Sequence, residues 1–266
     1  MIFLFGFLFA AATFGAGWES TVNAPPSSSF PAPRAMHARY GFGWSGIPGA
    51  TLDVRLAKPS AERLQVDAGL HTTGAVRALW KFDANHTSIA EAKTLRPVEV
   101  TQTETARAQK IVTNLTFDSK GVTSKVVETP SKNGPKNLRF DFPNLFDLQS
   151  SLFYLRSQPL PERSVQRIVV YPATSAYLAT ITVLGRERVN VPAGSFNAIK
   201  LDLQLSKIGK DRELQPHRKF RRATAWISDD PDRLLLRIEA QVFVGTVFVE
   251  LQSVEFDEAK LQPRVD

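Results

Sequence analysis

A mainly β domain built on one antiparallel sheet is the fold class that this sequence predicts. Three observations carry the prediction. Short runs alternating polar and apolar residues recur along the chain with turn residues between them. The segment Asp118-Ser119-Lys120-Gly121 joins two such runs as a hairpin does. Only two segments carry helical spacing.

The first element is not part of that domain. Met1 to Gly17, MIFLFGFLFAAATFGAG, is apolar, uncharged and followed by small residues, which reads as an export signal. It is shorter than the roughly 18 residues of a membrane span. The expected location is periplasmic or extracellular, in soluble form after cleavage between Ala12 and Ala24. No Lys or Arg precedes the apolar run, so translation is expected to begin further upstream. A Pro/Ser-rich spacer occupies residues 18–35; within it, Ala24 to Arg34 has four prolines and three serines, a composition that favours extended chain. Residues 36–258 are expected to form a single β domain and 259–266 a polar tail. Of the 266 residues, 43% are hydrophobic and 22% charged, enough apolar side chain to fill a core and too much for disorder.

From Met36 the elements follow in order. Thr51 to Leu56 and Arg63 to Leu70 alternate polar with apolar, with turns expected at Pro48-Gly49 and over Lys58 to Ala61. Gly74 to Trp80 is a short helix with Val76, Leu79 and Trp80 on one face. Ile111 to Phe117 and Val122 to Val127 form the hairpin closed by Gly121. Asp147 to Arg156 is the stronger helix: Leu148, Leu152 and Leu155 recur at i, i+4 and i+7, Asp147 caps the first turn and Pro159 follows the end. Thr180 to Leu184 and Arg186 to Val191 flank Gly185, read as a second tight turn. Asn197 to Leu205 is a long strand with one apolar face. Val242 to Leu251 is apolar on successive residues, as in a strand facing apolar groups on both sides.

Candidate chemistry is sparse. Cysteine is absent, which excludes disulfides, thiolate metal sites, a Cys nucleophile and lipidation after the signal. His37, His71, His86 and His217 have no metal-ligand spacing, and no cofactor is expected. Gly43-Trp44-Ser45-Gly46 is one residue too short for a nucleophile elbow and reads as a bend in the first strand. Asp229, Asp230 and Asp232 offer oxygen ligands to Ca²⁺ or, as Asp-Pro after a strand suggests, form a turn. The net charge of +7 favours anionic partners, which outside the cytoplasm are a membrane surface or an envelope polymer and not nucleic acid; it equally serves solubility. The densest basic segment holds Lys207, Lys210, Arg212, His217, Arg218, Lys219, Arg221 and Arg222. Of these, Lys210, Arg212, Arg218, Lys219, Arg221 and Arg222 are the candidate contacts to an anionic surface, the other reading being a solvated loop that protects a sheet edge.

Several strings together resemble the exported bacterial family known as domain of unknown function 3108. They are Thr94-Leu95-Arg96-Pro97, Phe117-Asp118, Leu152-Phe153-Tyr154-Leu155-Arg156, Val191-Pro192-Ala193-Gly194-Ser195-Phe196, and Ala225-Trp226-Ile227-Ser228-Asp229-Asp230, spanning about residues 38 to 252. The resemblance implies no catalytic residues. It implies a strongly curved antiparallel sheet, open or partly closed into a barrel, with one or two short covering helices, like the half-barrels of lipoprotein carriers.

The expectation for function is a non-catalytic envelope protein that binds a lipid, an acyl chain or another amphipathic ligand, or a protein partner, on a concave sheet face. The residues expected to line that face are Trp80, Phe153, Tyr154, Trp226, Phe243 and Phe248, each of which core packing would explain as well. The alternatives are a scaffold module with a filled core and an enzyme acting on cell-wall glycan. The last requires two carboxylates, from among Asp53, Asp67, Asp141, Asp202, Glu239 and Glu250, to converge in one cleft. N-terminal sequencing of the exported protein is expected to start between residues 13 and 24; Met1 retained on a cytoplasmic protein would overturn export.

Overall fold

The computed structural model describes residues 17–23, 32–131, 134–216, 222–241 and 245–257. The chain leaves its N-terminal strand as a meander: β1 (Met36–Trp44), β2 (Ile47–Ser60), β3 (Arg63–Thr72), β4 (Phe82–Glu91), β5 (Pro97–Ala106), β6 (Gln109–Phe117), β7 (Gly121–Thr129) and β8 (Lys136–Asp141), each antiparallel to the next. Helix α1 (Gly74–Leu79) lies between β3 and β4. After β9 (Leu145–Phe146) comes helix α2 (Leu148–Ser157), and then a second antiparallel run. Its strands are β10 (Val165–Val170), β11 (Tyr177–Val191), β12 (Gly194–Ile208), β14 (Arg222–Ser228), β15 (Leu235–Gln241) and β16 (Thr246–Phe256). The short β13 (Leu214–Pro216) pairs only with β12, and β9 runs parallel to β10. Strand β16 pairs with β1, so both runs belong to one sheet with edges at β8 and β9.

The sheet curls. Register shifts, each of which bends and twists a ladder, fall at Arg39/Tyr40, Phe42/Gly43, Ala57/Ser60, Ile89/Ala90, Val183/Gly185 and Trp226/Ile227. The two ends approach each other without forming a ladder. Phe140 of β8 stacks on Tyr171, just after β10, at 6.0 Å between ring centroids. The loop that follows lies against the inner face of the first arm, where Gln102 and Ser124 donate to the carbonyls of Pro172 and Ala173 at 2.6 and 2.8 Å. Phe142 carries the aromatic series on to Trp18, whose indole N–H donates to the Arg212 carbonyl. The curved antiparallel sheet expected of the sequence is therefore present, open along one seam.

The register identifies the inner face. Met36, Leu56, Val66, Ser88, Val100, Leu115 and Ser124 stand opposite one another across seven consecutive strands. Residues facing the same side across a ladder must pack together, so one register fixes the whole row. Val100 and Leu115 meet Val169, Tyr171 and Leu178 from the other arm. Tyr154 and Leu155 of α2 meet Ile168, Ile181, Ile199 and Leu201.

Several local expectations are corrected. The first turn is not Pro48-Gly49 but Ser45-Gly46, with φ of 47° and 83°, a two-residue hairpin whose twist suits the flanking strands. Helix α1 rests only Val76 over Gly49 of β2: no residue in it is buried, and Leu79 is 82% exposed. Gly185 is not a tight turn but a bulge inside the continuous strand β11, with φ of 156°. Gly121 does begin β7 after the expected hairpin, where Asp118 accepts the Lys120 and Gly121 amides, both at 2.8 Å.

The need for glycine at 121 is close approach. A Cβ there would lie 2.1 Å from the Phe140 carbonyl oxygen and 2.8 Å from the Asp141 Cα, both backbone atoms of β8. Replacement of Gly121 by Val is expected to destabilise the domain by about 1–3 kcal/mol, the range of an overpacked site. A urea midpoint equal to that of the wild type would show that β8 does not press on this position.

Candidate functional site

The interior of the curl is spanned by α2, and the way this helix is anchored determines the space beside it. Asp147 caps it: Oδ1 accepts the amides of Gln149 and Ser150 at 2.7 and 3.2 Å, and the Ser150 hydroxyl accepts the Asp147 amide at 3.0 Å. These bonds satisfy donors that a helix N-terminus leaves free. The second carboxylate oxygen accepts the Ser88 hydroxyl at 3.0 Å, which ties the helix to β4. Asp147 is wholly buried, and burial raises its carboxyl above the usual range while the hydrogen bonds that Ser150, Gln149 and Ser88 make to it act in the opposite direction.

One side of α2 is committed to the core. Tyr154 packs on Phe146 at 5.0 Å, and burial pushes its phenol up to about 12. The other side turns towards β1, β2 and β3 but does not fill the space before them. A cavity of about 160 Å³ remains, with Tyr40, Leu52, Val54, Leu56 and Val66 on the sheet wall and Leu235 of β15 at its side. From the helix, Phe153 and Leu155 close it, and Leu148 and Leu152 stand at its mouth, 52% and 37% exposed. Leu148 and Leu152 thus carry the apolar lining of the hollow out to the surface.

The cavity has few polar groups. Arg233 lines it with its guanidinium bound to Asp229 at 2.7 Å. Arg156 and Gln149 line it with Nη2 and Oε1 buried and without a hydrogen-bond partner. Burial lowers the Arg156 guanidinium from its ordinary value and pushes the Tyr40 phenol up to about 12.

Among the described residues expected to form a ligand face, the structure brings only Phe153 to the cavity. Tyr154 points away from it into the core. Trp226 is buried in the core cluster but does not line the cavity; it stands opposite Lys200 and Arg237, its indole donates to Glu187 at 2.6 Å and the two cations lie over its ring at 5.4 and 5.8 Å. Phe248 occupies the face opposite to Val249 and packs over Gly43. Trp80 stacks on Phe82 at the rim, 49% exposed. Phe243 lies outside the described residues. Strict alternation along β14 and β16 explains the corrections: neighbours of a residue that faces the cavity point away from it, however apolar they are.

The basic segment is partly spent on internal contacts. Arg212 lies over Phe140 and Phe142 at 4.8 and 5.5 Å and donates to the Asp141 carbonyl. Arg222 pairs with Asp202, and Lys210 is exposed. Arg218, Lys219 and Arg221 lie outside the described residues. The acidic cluster is a turn: Asp230 accepts Ser228, Asp232 and Arg233, Asp229 pairs with Arg186 and Arg233, and Asp232 pairs with Arg34. No cluster of three or more metal-ligating side chains occurs among the described residues.

Two carboxylates of the glycan reading do share a cleft, an open polar groove of about 510 Å³ on the outer face holding Asp53 and Asp67. Each is already engaged, Asp53 by Arg39 at 3.0 Å and Asp67 by Thr87 and Gln65 at 2.7 and 2.8 Å.

The cavity wall from β2 and β3 was legible only as core. One signal does mark the cavity: Gln149 and Arg156, seven residues apart, place polar groups on the same helix side as Leu152.

A family model described as a protein of unknown function, DUF3108, matches residues 37–252. No curated protein matches the chain. Among solved structures, a beta-barrel-like protein of domain of unknown function DUF1849 from Brucella abortus is similar, with TM-score 0.59 and 9% identity over 85% of this chain and 99% of that one. That likeness concerns the fold alone. A protein of YmcC-like fold from Bacteroides fragilis is 10% identical over 87% of this chain and 100% of its own, with TM-score 0.37.

The anchor of α2 yields a paired expectation. Asp147→Ala removes the cap and leaves buried donors unpaired, at an expected cost of about 2–4 kcal/mol. Asp147→Asn keeps an acceptor at the helix end and removes the buried charge. Because the folded-state carboxyl is raised, its stabilising share is complete below the unfolded-state value and is lost as pH rises through the folded one. Denaturation curves against pH are therefore expected to show the wild type losing stability relative to Asp147→Asn as pH increases from about 4. A parallel pair of curves would show that the carboxyl is not raised.

Proposed function

Since the chain belongs to the DUF3108 family, for which no reaction is described, we propose that it is a non-catalytic exported protein that binds an apolar or amphipathic ligand between α2 and strands β1 to β3. The observation that carries this reading is the cavity itself, apolar on its walls, with exposed Leu148 and Leu152 at its mouth. Export rests on the apolar, uncharged run Met1 to Gly17. Trp18 stacks on Phe142 and Asn23 donates its amide to the Arg167 carbonyl, so cleavage at or before Gly17 keeps a segment that the body uses. Among the described residues no helix is long and apolar enough to cross a membrane.

The size of the cavity limits the ligand. At about 30 Å³ per water-sized unit, 160 Å³ holds a chain segment of about five such units. Burial at about 0.8 kcal/mol per methylene then supplies about 4 kcal/mol, no more than the smallest estimates of the association cost. Useful affinity needs a polar anchor, further contact along Leu148 and Leu152, or outward movement of α2. The small volume also favours a second reading, a scaffold module whose core is filled apart from a packing defect.

Calorimetric titration of delipidated protein with fatty acids and lysolipids separates the two. None of the four tryptophans lines the cavity, so calorimetry suits it better than Trp fluorescence. Saturable binding with a negative heat-capacity change is expected, weakened at least about tenfold by Val54→Phe, whose added bulk occupies the cavity. No saturable binding by the wild type would leave the scaffold reading.

A further inference from the structure

The cavity is apolar except for a few groups, and one of them is a cation with an unused donor. Arg156 enters from the last turn of α2, and its Nη2 is buried without a hydrogen-bond partner. A guanidinium carries five donors and cannot shed its charge, so a buried unpaired N–H on it is costly. The second cation on the wall, Arg233, shows the usual arrangement, bound to Asp229 at 2.7 Å. Asp230 and Asp232 favour the Arg156 charge through space only, since Asp230 is occupied by Ser228 and two backbone amides and Asp232 by Arg34. Tyr40, on the same wall, keeps its phenol neutral and so offers no counter-charge.

An apolar hollow with one unpaired guanidinium is complementary to a molecule that is a hydrocarbon chain along its length and an anion at one end. Resting on the cavity reading above, we infer that the ligand is a single-chain amphiphile with a carboxylate or phosphate head, that Arg156 holds this head, and that the chain lies against Leu52, Val54 and Val66. An anion is preferred to a neutral polar group because a charged acceptor makes the stronger bond to a guanidinium, in one or two N–H contacts.

The test compares octanoate, octyl phosphate and 1-octanol by calorimetric titration of the full-length protein and of Arg156→Gln. Both anions are expected to bind the wild type about tenfold to a hundredfold more tightly than the alcohol, and the tighter of the two identifies the head group. In Arg156→Gln the anions are expected to fall to the affinity of the alcohol, with the alcohol itself unchanged. Equal binding of acid and alcohol by the wild type overturns the assignment of Arg156 while leaving the cavity reading intact, and it needs no variant that might fail to fold. A preference retained by a folded Arg156→Gln overturns it as well. Absence of binding by all three compounds overturns the cavity reading and this inference with it.

Discussion

The pairing of β1 with β16 is the constraint on which the rest of this structure depends. It joins the strand that starts the domain to the strand that ends it, from Met36 opposite Phe256 to Trp44 opposite Val247. Without it the chain would be two separate meanders, each with a long open edge, and such edges invite aggregation. With it, both arms share one sheet and one hand of twist, and curling brings β5 to β7 over β10 and β11. Closing a loop of this length costs entropy that local hairpins do not, so this contact is expected among the slow steps of folding.

Within the curl, the conflict between filling space and satisfying polar groups is settled around α2. A helix lying inside a sheet must have its free amides bonded, because water does not reach them. Asp147 and Ser150 do this locally, and Ser88 extends the network to the sheet wall. The cost is a desolvated carboxyl. Its effect is to hold the helix at one height above β4, with Tyr154 and Leu155 against the second arm and a hollow left facing the first. The cavity is thus a consequence of where the helix is anchored as well as of the side chains that line it.

The edges show how an incomplete barrel avoids open pairing. Strand β8, Lys-Asn-Leu-Arg-Phe-Asp, is short and charged, and Arg139 ties it to Asp118 and Asp141. Strand β9 is only two residues long. Stacked rings, rather than a ladder, bring the edges together, and Arg212 lies over two of them. That employment removes Arg212 from the free basic surface its neighbours in the sequence suggest.

The sequence by itself determined the class of fold, strands β2, β3, β6, β7 and β12 with parts of β11 and β16, the Asp118 to Gly121 hairpin and the span and cap of α2, because these depend on period, turn chemistry and capping within a few residues. The curvature was legible as family resemblance and not as physics. Which apolar residues face the hollow was decided only by the tertiary structure. Trp226 and Ile227 are adjacent, apolar and both buried, yet one lies under Lys200 and Arg237 away from the cavity while the other lines it. Alternation says that neighbours differ, but only the register of β14 with β12 and β15 says which of them faces the cavity. Arg156 shows the same limit: its place on the stripe of α2 is visible in the sequence, whereas the nearby carboxylates are already claimed, Asp230 by its own turn, Asp229 by Arg233 and the distant Arg186, and Asp232 by the distant Arg34.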